Sequence, residues 1–220
     1  MAFNLRWRWS KVVVFLLCLL PALELALRAW NQSRGVEPDL GVNPLEHITR
    51  ATGDWTLRFL LITLAITPLR KLLQRPALIH FRRMAGLFAF FYGSLHFTTY
   101  LWFDKAFAWS EILPDVAKRR FIAVGFTAFV LMLPLAITST GGWIRRLGGK
   151  RWQWLHRLVY FSALAGVIHY WWLVKSDIRK PAIYAGILAA LLVYRMVVWV
   201  LPSQQHHAGA RKLATAETVE

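Results

Sequence analysis

Six apolar stretches, each about long enough to cross hydrocarbon as a helix, constrain this chain more than any other feature. They run Lys11–Trp30, Trp55–Leu73, Met84–Phe103, Phe121–Ser139, Trp152–Val174 and Pro181–Leu201. A bilayer core of about 30 Å takes roughly 20 helical residues at about 1.5 Å each. Lipid offers no partner to an unpaired backbone group, so each stretch must be a helix. The expected fold is all-α: a polytopic six-helix transmembrane bundle over residues 1–202, then a flexible polar tail, 203–220. The first stretch follows Arg6, Arg8 and Lys11, as a signal peptide would, but no small-residue cleavage site comes after it. A retained helix is expected, with Glu24 and Arg28 one turn apart as an ion pair facing the bundle.

The formal charge is +16. In a soluble protein that excess would suggest nucleic acid. Here the bases lie in short clusters between apolar runs, so it reads as membrane topology and nucleic-acid binding is not expected. One set of loops carries 14 bases, including Arg70, Lys71, Arg75, Arg82, Arg83, Arg145 and Arg146. The opposite set carries 9, and eight of the eleven acids lie with it. The basic side is the inner one, which makes both termini cytoplasmic. Lys118, Arg119 and Arg120 run against this rule. Trp102, Phe103 and Tyr170–Trp172 fit an aromatic belt, and Arg58, Arg157 and Arg195 sit where long side chains snorkel toward span ends. The one cysteine, Cys18, excludes an intramolecular disulfide and argues against thiolate-bound zinc or iron–sulfur.

His47, His80, His206 and His207 fall in loops or tail. His96, His156 and His169 fall inside apolar spans, where an ionisable group costs a few kcal/mol or more without a partner. Three such residues on two helices point to metal ligation, and neutral imidazole is the common axial ligand of heme iron. His96 lies 12 residues above Met84, about 18 Å, and His169 lies 17 above Trp152, about 25 Å, so helix tilt must absorb the difference. Both belong to the outer half, as two axial ligands of one heme. His156 is only four residues in and belongs to an inner site. The position on the third helix that would pair with it is Arg82, which cannot ligate iron but can neutralise a propionate. The inner site is then a five-coordinate heme, a heme with an unexpected ligand, or a polar site without heme. His156 and His169 are 13 residues apart, about 140° off one face of a straight helix, so a kink near Gly166 or two separate interfaces is expected.

Three segments carry a resemblance: residues 43–70 (NPLEHITRATGDWTLRFLLITLAITPLR), 82–102 (RRMAGLFAFFYGSLHFTTYLW) and 139–172 (STGGWIRRLGGKRWQWLHRLVYFSALAGVIHYWW). With the six-span pattern, the chain resembles the heme-binding membrane subunits of the ferric-reductase-like transmembrane family, which includes the membrane part of NADPH oxidases. That resemblance implies a multi-pass protein of the bacterial inner membrane with heme b on His96 and His169, and His156 as a further candidate ligand. It also implies FMN, with quinol or a cytosolic flavin reductase as electron donor. The implied acceptor is a periplasmic, molybdopterin-containing subunit that reduces methionine sulfoxide in oxidised proteins. The family's second histidine is replaced here by Arg82, which leaves the second heme open. Arg82, Arg83 and Arg157 are candidates to neutralise propionates or a flavin phosphate. The outer loops around 44–52 and 104–118 are candidate docking surfaces, with His47 as a candidate quinone or docking contact. Two other readings remain: a stand-alone ferric or metal reductase, and a non-redox proton-coupled transporter using the buried histidines as a relay.

Overall fold

The computed structural model describes residues 2–36 and 40–217, with side chains for 9–36, 40–103 and 105–198. Glu37, Asp39 and the last three residues of the expected tail lie outside the described residues. Every element among the described residues is helical: α1 (Ala2–Ser33), α2 (Pro44–Leu72), α3 (Ile79–Thr99), α4 (Trp109–Lys118), α5 (Arg120–Ile137), α6 (Gly141–Leu147), α7 (Gly149–Leu155), α8 (Leu158–Leu173) and α9 (Arg179–Glu217). The all-α expectation stands. By length and composition three segments qualify as membrane-crossing: Trp9–Ser33, Arg120–Ile137 and Arg179–Val198. These apolar helices are the little-buried ones. The more polar α2 and α3 and the short α8 supply most of the buried core, including Leu57, Phe59, Leu60, Leu64, Ala89, Tyr92 and Ala163. A helix that faces protein can carry Asp54, Arg58 or Arg82, whereas one that faces lipid cannot do so cheaply.

Asn43 starts α2 eleven residues before its apolar run. Its Oδ1 accepts the Glu46 N–H at 3.2 Å and Pro44 takes the first turn. The N-terminal extension of α2 covers His96. Small residues then let helices approach closely. Ala85, Ala89 and Gly93 recur every fourth residue on α3, and a Cβ added to Gly93 would meet Met132 at 3.2 Å and Thr56 at 3.4 Å. α3 packs most extensively on α2, and α5 on α8. Ser162 fixes the second pair, donating to the Ala128 carbonyl at 2.9 Å.

Two sequence expectations need correction. The fifth apolar stretch is not one helix: α7 stops at Leu155, His156 and Arg157 form a turn, and α8 starts at Leu158. The break is there and not near Gly166, which lies within the continuous α8. The His96 and His169 rings lie at one level of the bundle, with centroids 6.1 Å apart. The 140° conflict disappears, because His156 and His169 share no helix. Second, Glu24 and Arg28 do pair, but their side chains are 60% and 36% exposed, so the pair lies on the outer face of α1. The misplaced basic triplet has a partial explanation in Asp115, whose carboxylate receives Arg119 Nε at 2.8 Å and Lys105 Nζ at 3.3 Å.

Tyr92 joins α1 to α3 in an unusual way. Its hydroxyl donates to the Cys18 carbonyl at 2.9 Å and accepts the Ala22 N–H at 3.0 Å, replacing one rung of the α1 ladder beside Pro21. Tyr92→Phe removes both bonds, and the Ala22 N–H and Cys18 carbonyl, an i, i−4 pair, can recover only one of them by closing the α1 rung. A cost of about 1–3 kcal/mol is expected, read as a lowered melting temperature of the detergent-solubilised protein.

Candidate functional site

His96 on α3 and His169 on α8 face one another, their ring centroids 6.1 Å apart and their planes at 75°. Each ring is held the same way. His96 Nδ1–H donates to the Thr49 carbonyl of α2 at 2.9 Å, and His169 Nδ1–H donates to the Phe121 carbonyl of α5 at 2.7 Å. A carbonyl can only accept, so in each ring Nδ1 bears the proton and Nε2 keeps its lone pair. Such a bond on the far nitrogen is what orients a metal-ligating imidazole and raises its basicity.

Two glycines make room for the rings, and sequence reading missed both. A Cβ on Gly53 would lie 3.1 Å from His96 Nδ1 and Cε1, and one on Gly125 would lie 2.6 Å from His169 Nδ1 and 2.8 Å from its Cε1. The signal was present for Gly125, a glycine inside a helical apolar pattern, where it costs about 1 kcal/mol against alanine and calls for a packing reason; Gly53 precedes its apolar run, between Thr52 and Asp54, and carried no such signal. Thr49 Oγ1 donates to Thr99 Oγ1 at 3.0 Å, and Thr99 Oγ1 donates to the His96 carbonyl at 2.7 Å, so the α2 extension is fixed beside His96. On the other side Lys180 Nζ reaches Asp54 at 3.7 Å and Arg58 Nε donates to Tyr184 at 3.1 Å, tying α9 to α2. Arg58 also lies over the Trp55 ring at 4.6 Å, a more specific contact than snorkelling.

The donor set fits an axial pair. Two imidazoles on opposite sides of one metal, each bonded at about 2 Å, place their ring centres about 6 Å apart. Among the described residues, no group of three or more His, Cys, Asp or Glu could hold an ion. Two nitrogens are too few for a structural zinc, but suffice where a porphyrin supplies the other four.

His156 is arranged differently. Its Nε2–H donates to Thr138 Oγ1 at 3.1 Å, since that hydroxyl gives its own proton to the Pro134 carbonyl at 2.6 Å. The ring stacks on Trp152 with centroids 3.9 Å apart, and Trp152 Nε1–H donates to the Thr138 carbonyl at 2.8 Å. Arg82 lies within electrostatic range of His156. Arg157, though adjacent in sequence, is exposed, as are Arg83 and His47. The structure thus brings His96 and His169 together at one site and His156 and Arg82 near each other at another.

The description "Ferric reductase like transmembrane component" matches residues 52–167, which include His96 and His156 and end just before His169. The chain belongs to the ferric-reductase-like transmembrane family. Relatives within it are considerably more similar. The protein-methionine-sulfoxide reductase heme-binding subunit MsrQ of Herminiimonas arsenicoxydans is 58% identical over 191 residues, covering 86% of this chain and 84% of the relative. Proteins of the same name from Xanthomonas campestris pv. campestris (strain 8004) and Ralstonia nicotianae are 52% and 50% identical, over 86% and 88% of this chain and 86% and 87% of their own lengths.

Proposed function

We propose that the chain binds heme b between α3 and α8 and serves as the membrane electron-transfer subunit of a methionine-sulfoxide reductase system. One observation carries this reading: His96 and His169 oppose each other at 6.1 Å with both Nδ1 protons committed to carbonyls, so both Nε2 lone pairs remain for one iron. The shared name of the relatives, a heme-binding subunit of protein-methionine-sulfoxide reductase, supports it. Heme held there would supply reversible one-electron transfer. The protein supplies the two axial nitrogens, the carbonyls that fix them and an apolar surround. Bis-imidazole ligation leaves no open iron position, which suits electron passage and not oxygen chemistry.

In this reading the chain spans a bacterial inner membrane six times with both termini in the cytoplasm, and the residues from about 203, through which α9 runs on to Glu217, are a cytoplasmic tail. Electrons come from the quinone pool or a cytosolic flavin reductase, with FMN as an intermediate carrier. They leave to a periplasmic molybdopterin-containing subunit that docks on the outer loops, and the chain has no substrate turnover of its own. A second heme on His156 would have to use Nδ1, or Nε2 after Thr138 is released. The polar groups around His156, Arg82 and Arg157 are then the inner entry for electrons.

A pyridine-hemochrome assay with protein quantitation tests the reading. About one or two b-type hemes per chain are expected, and a colourless preparation from heme-replete cells overturns it. His156→Ala is expected to keep the low-spin bis-imidazole spectrum, because neither axial nitrogen nor its carbonyl partner is touched. Loss of that spectrum would place His156 among the axial ligands of this heme.

A further inference from the structure

Pro68 has no N–H, so the Leu64 carbonyl one turn earlier in α2 lacks its helical donor. Arg195 of α9 takes it: Nη2 donates to Leu64 O at 2.9 Å, and Nη1 donates to the Tyr160 hydroxyl of α8 at 2.6 Å. Arg195 therefore points into the bundle and does not snorkel out of it. Its Nε is buried without a hydrogen-bond partner. Thr67, one turn along α2 from Leu64, has a buried hydroxyl that is likewise unpartnered. Thr52, Thr56 and Thr63 on the same helix all return their hydroxyls to the carbonyl four residues back, so Thr67 departs from the habit of its own helix. Arg82 lies within electrostatic range of Arg195, Tyr160 and Arg70. Among the described residues no carboxylate pairs with Arg82 or Arg195.

We propose that the junction of α2, α3, α8 and α9 is a binding site for an oxyacid group, carboxylate or phosphate, borne by a largely apolar molecule, with Arg195 and Arg82 as its cationic partners and Thr67 as a neutral donor. Two guanidinium groups within electrostatic range of each other in an apolar bundle are costly unless an anion compensates them, and no carboxylate among the described residues pairs with either. A planar guanidinium with a free Nε–H suits an oxyacid. The surrounding helices are apolar, so the acid must arrive on an apolar or planar body. Three molecules share this chemistry: a heme through its propionates, a flavin nucleotide through its phosphate, and a phospholipid through its headgroup. The site rests on the membrane-bundle reading but not on iron at His96 and His169.

The test uses the full-length protein, purified in mild detergent, as wild type, Arg195→Gln, Arg195→Lys and the control Arg75→Gln, at an exposed residue. Heme is counted by pyridine hemochrome, flavin by fluorescence after extraction, and tightly held phospholipid by mass spectrometry. Arg195→Gln is expected to lower one of the three by about tenfold, the effect of removing one partner of a buried charge pair. Arg75→Gln is expected to keep it, and Arg195→Lys, which keeps the charge without the planar fork, to retain more than Arg195→Gln. Which content falls identifies the source of the acid group. Folded Arg195→Gln with all three contents at wild-type level overturns the proposal. If Arg195→Gln does not fold, Thr67→Val decides: a severalfold fall in one content supports the site, and no change in any of them sinks it. Failure of the imidazole reading looks different, because the wild type itself then lacks the low-spin bis-imidazole signal while the Arg195 comparison stands on flavin and lipid.

Discussion

His96→Ala and His169→Ala are each expected to abolish stable heme binding, with the purified variant retaining about a tenth or less of wild-type heme. In the proposed reading each ring would contribute one of two axial bonds, and among the described residues no third His, Cys, Asp or Glu joins them to substitute. Even changing the hydrogen-bond partner of a ligand typically costs about 10–100-fold in affinity, and removing the ligand itself costs more. Any residual heme should be five-coordinate and high-spin, visible as a displaced Soret band and loss of the low-spin resonance signal. The two substitutions should be about equal in effect, since each ring is carried by one helix and fixed by a carbonyl of a neighbouring helix. The measurement is heme per chain together with the ferric spectrum. Wild-type heme content and spectrum in either variant would disprove the ligand assignment.

Gly125→Ala should be nearly as damaging, although it adds one methyl group to a residue that could touch no iron. The new Cβ would stand 2.6 Å from His169 Nδ1, 2.8 Å from Cε1 and 3.1 Å from Cγ, so the ring must move. It cannot move without stretching the 2.7 Å bond to the Phe121 carbonyl and swinging Nε2 off the axis toward His96. Gly53→Ala presses His96 at 3.1 Å, which a shift of a few tenths of an ångström relieves. The expected order of heme retention is therefore wild type, then Gly53→Ala, then Gly125→Ala, with the last reduced about tenfold or more. Circular dichroism separates displacement of a ring from loss of fold. Equal and full retention in both glycine variants would mean that the rings are not held as described.

Much of this was legible in the chain because lipid removes choices. Unpaired backbone cannot lie in hydrocarbon, so apolar length alone dictated helices. The price of burying an imidazole singled out His96, His156 and His169 before any geometry was known. The carbonyls that hold the rings were not legible, because Thr49 and Phe121 act through main-chain atoms that every residue possesses. The division of the three histidines was not legible either. It follows from the break at His156 and Arg157, and no proline or run of turn residues marks that break. Arg195 misled for a related reason: near a span end a long side chain normally reaches water, but Pro68 on another helix exposes a carbonyl that draws it inward.

The sequence by itself determined that this chain is helical, apolar and furnished with buried imidazoles, since those depend on residue type and spacing. Tertiary structure alone decided which imidazoles meet, which nitrogen each presents, and where two arginines lie with no carboxylate partner among the described residues. Those outcomes depend on the packing of helices distant in sequence, which a one-dimensional pattern does not encode.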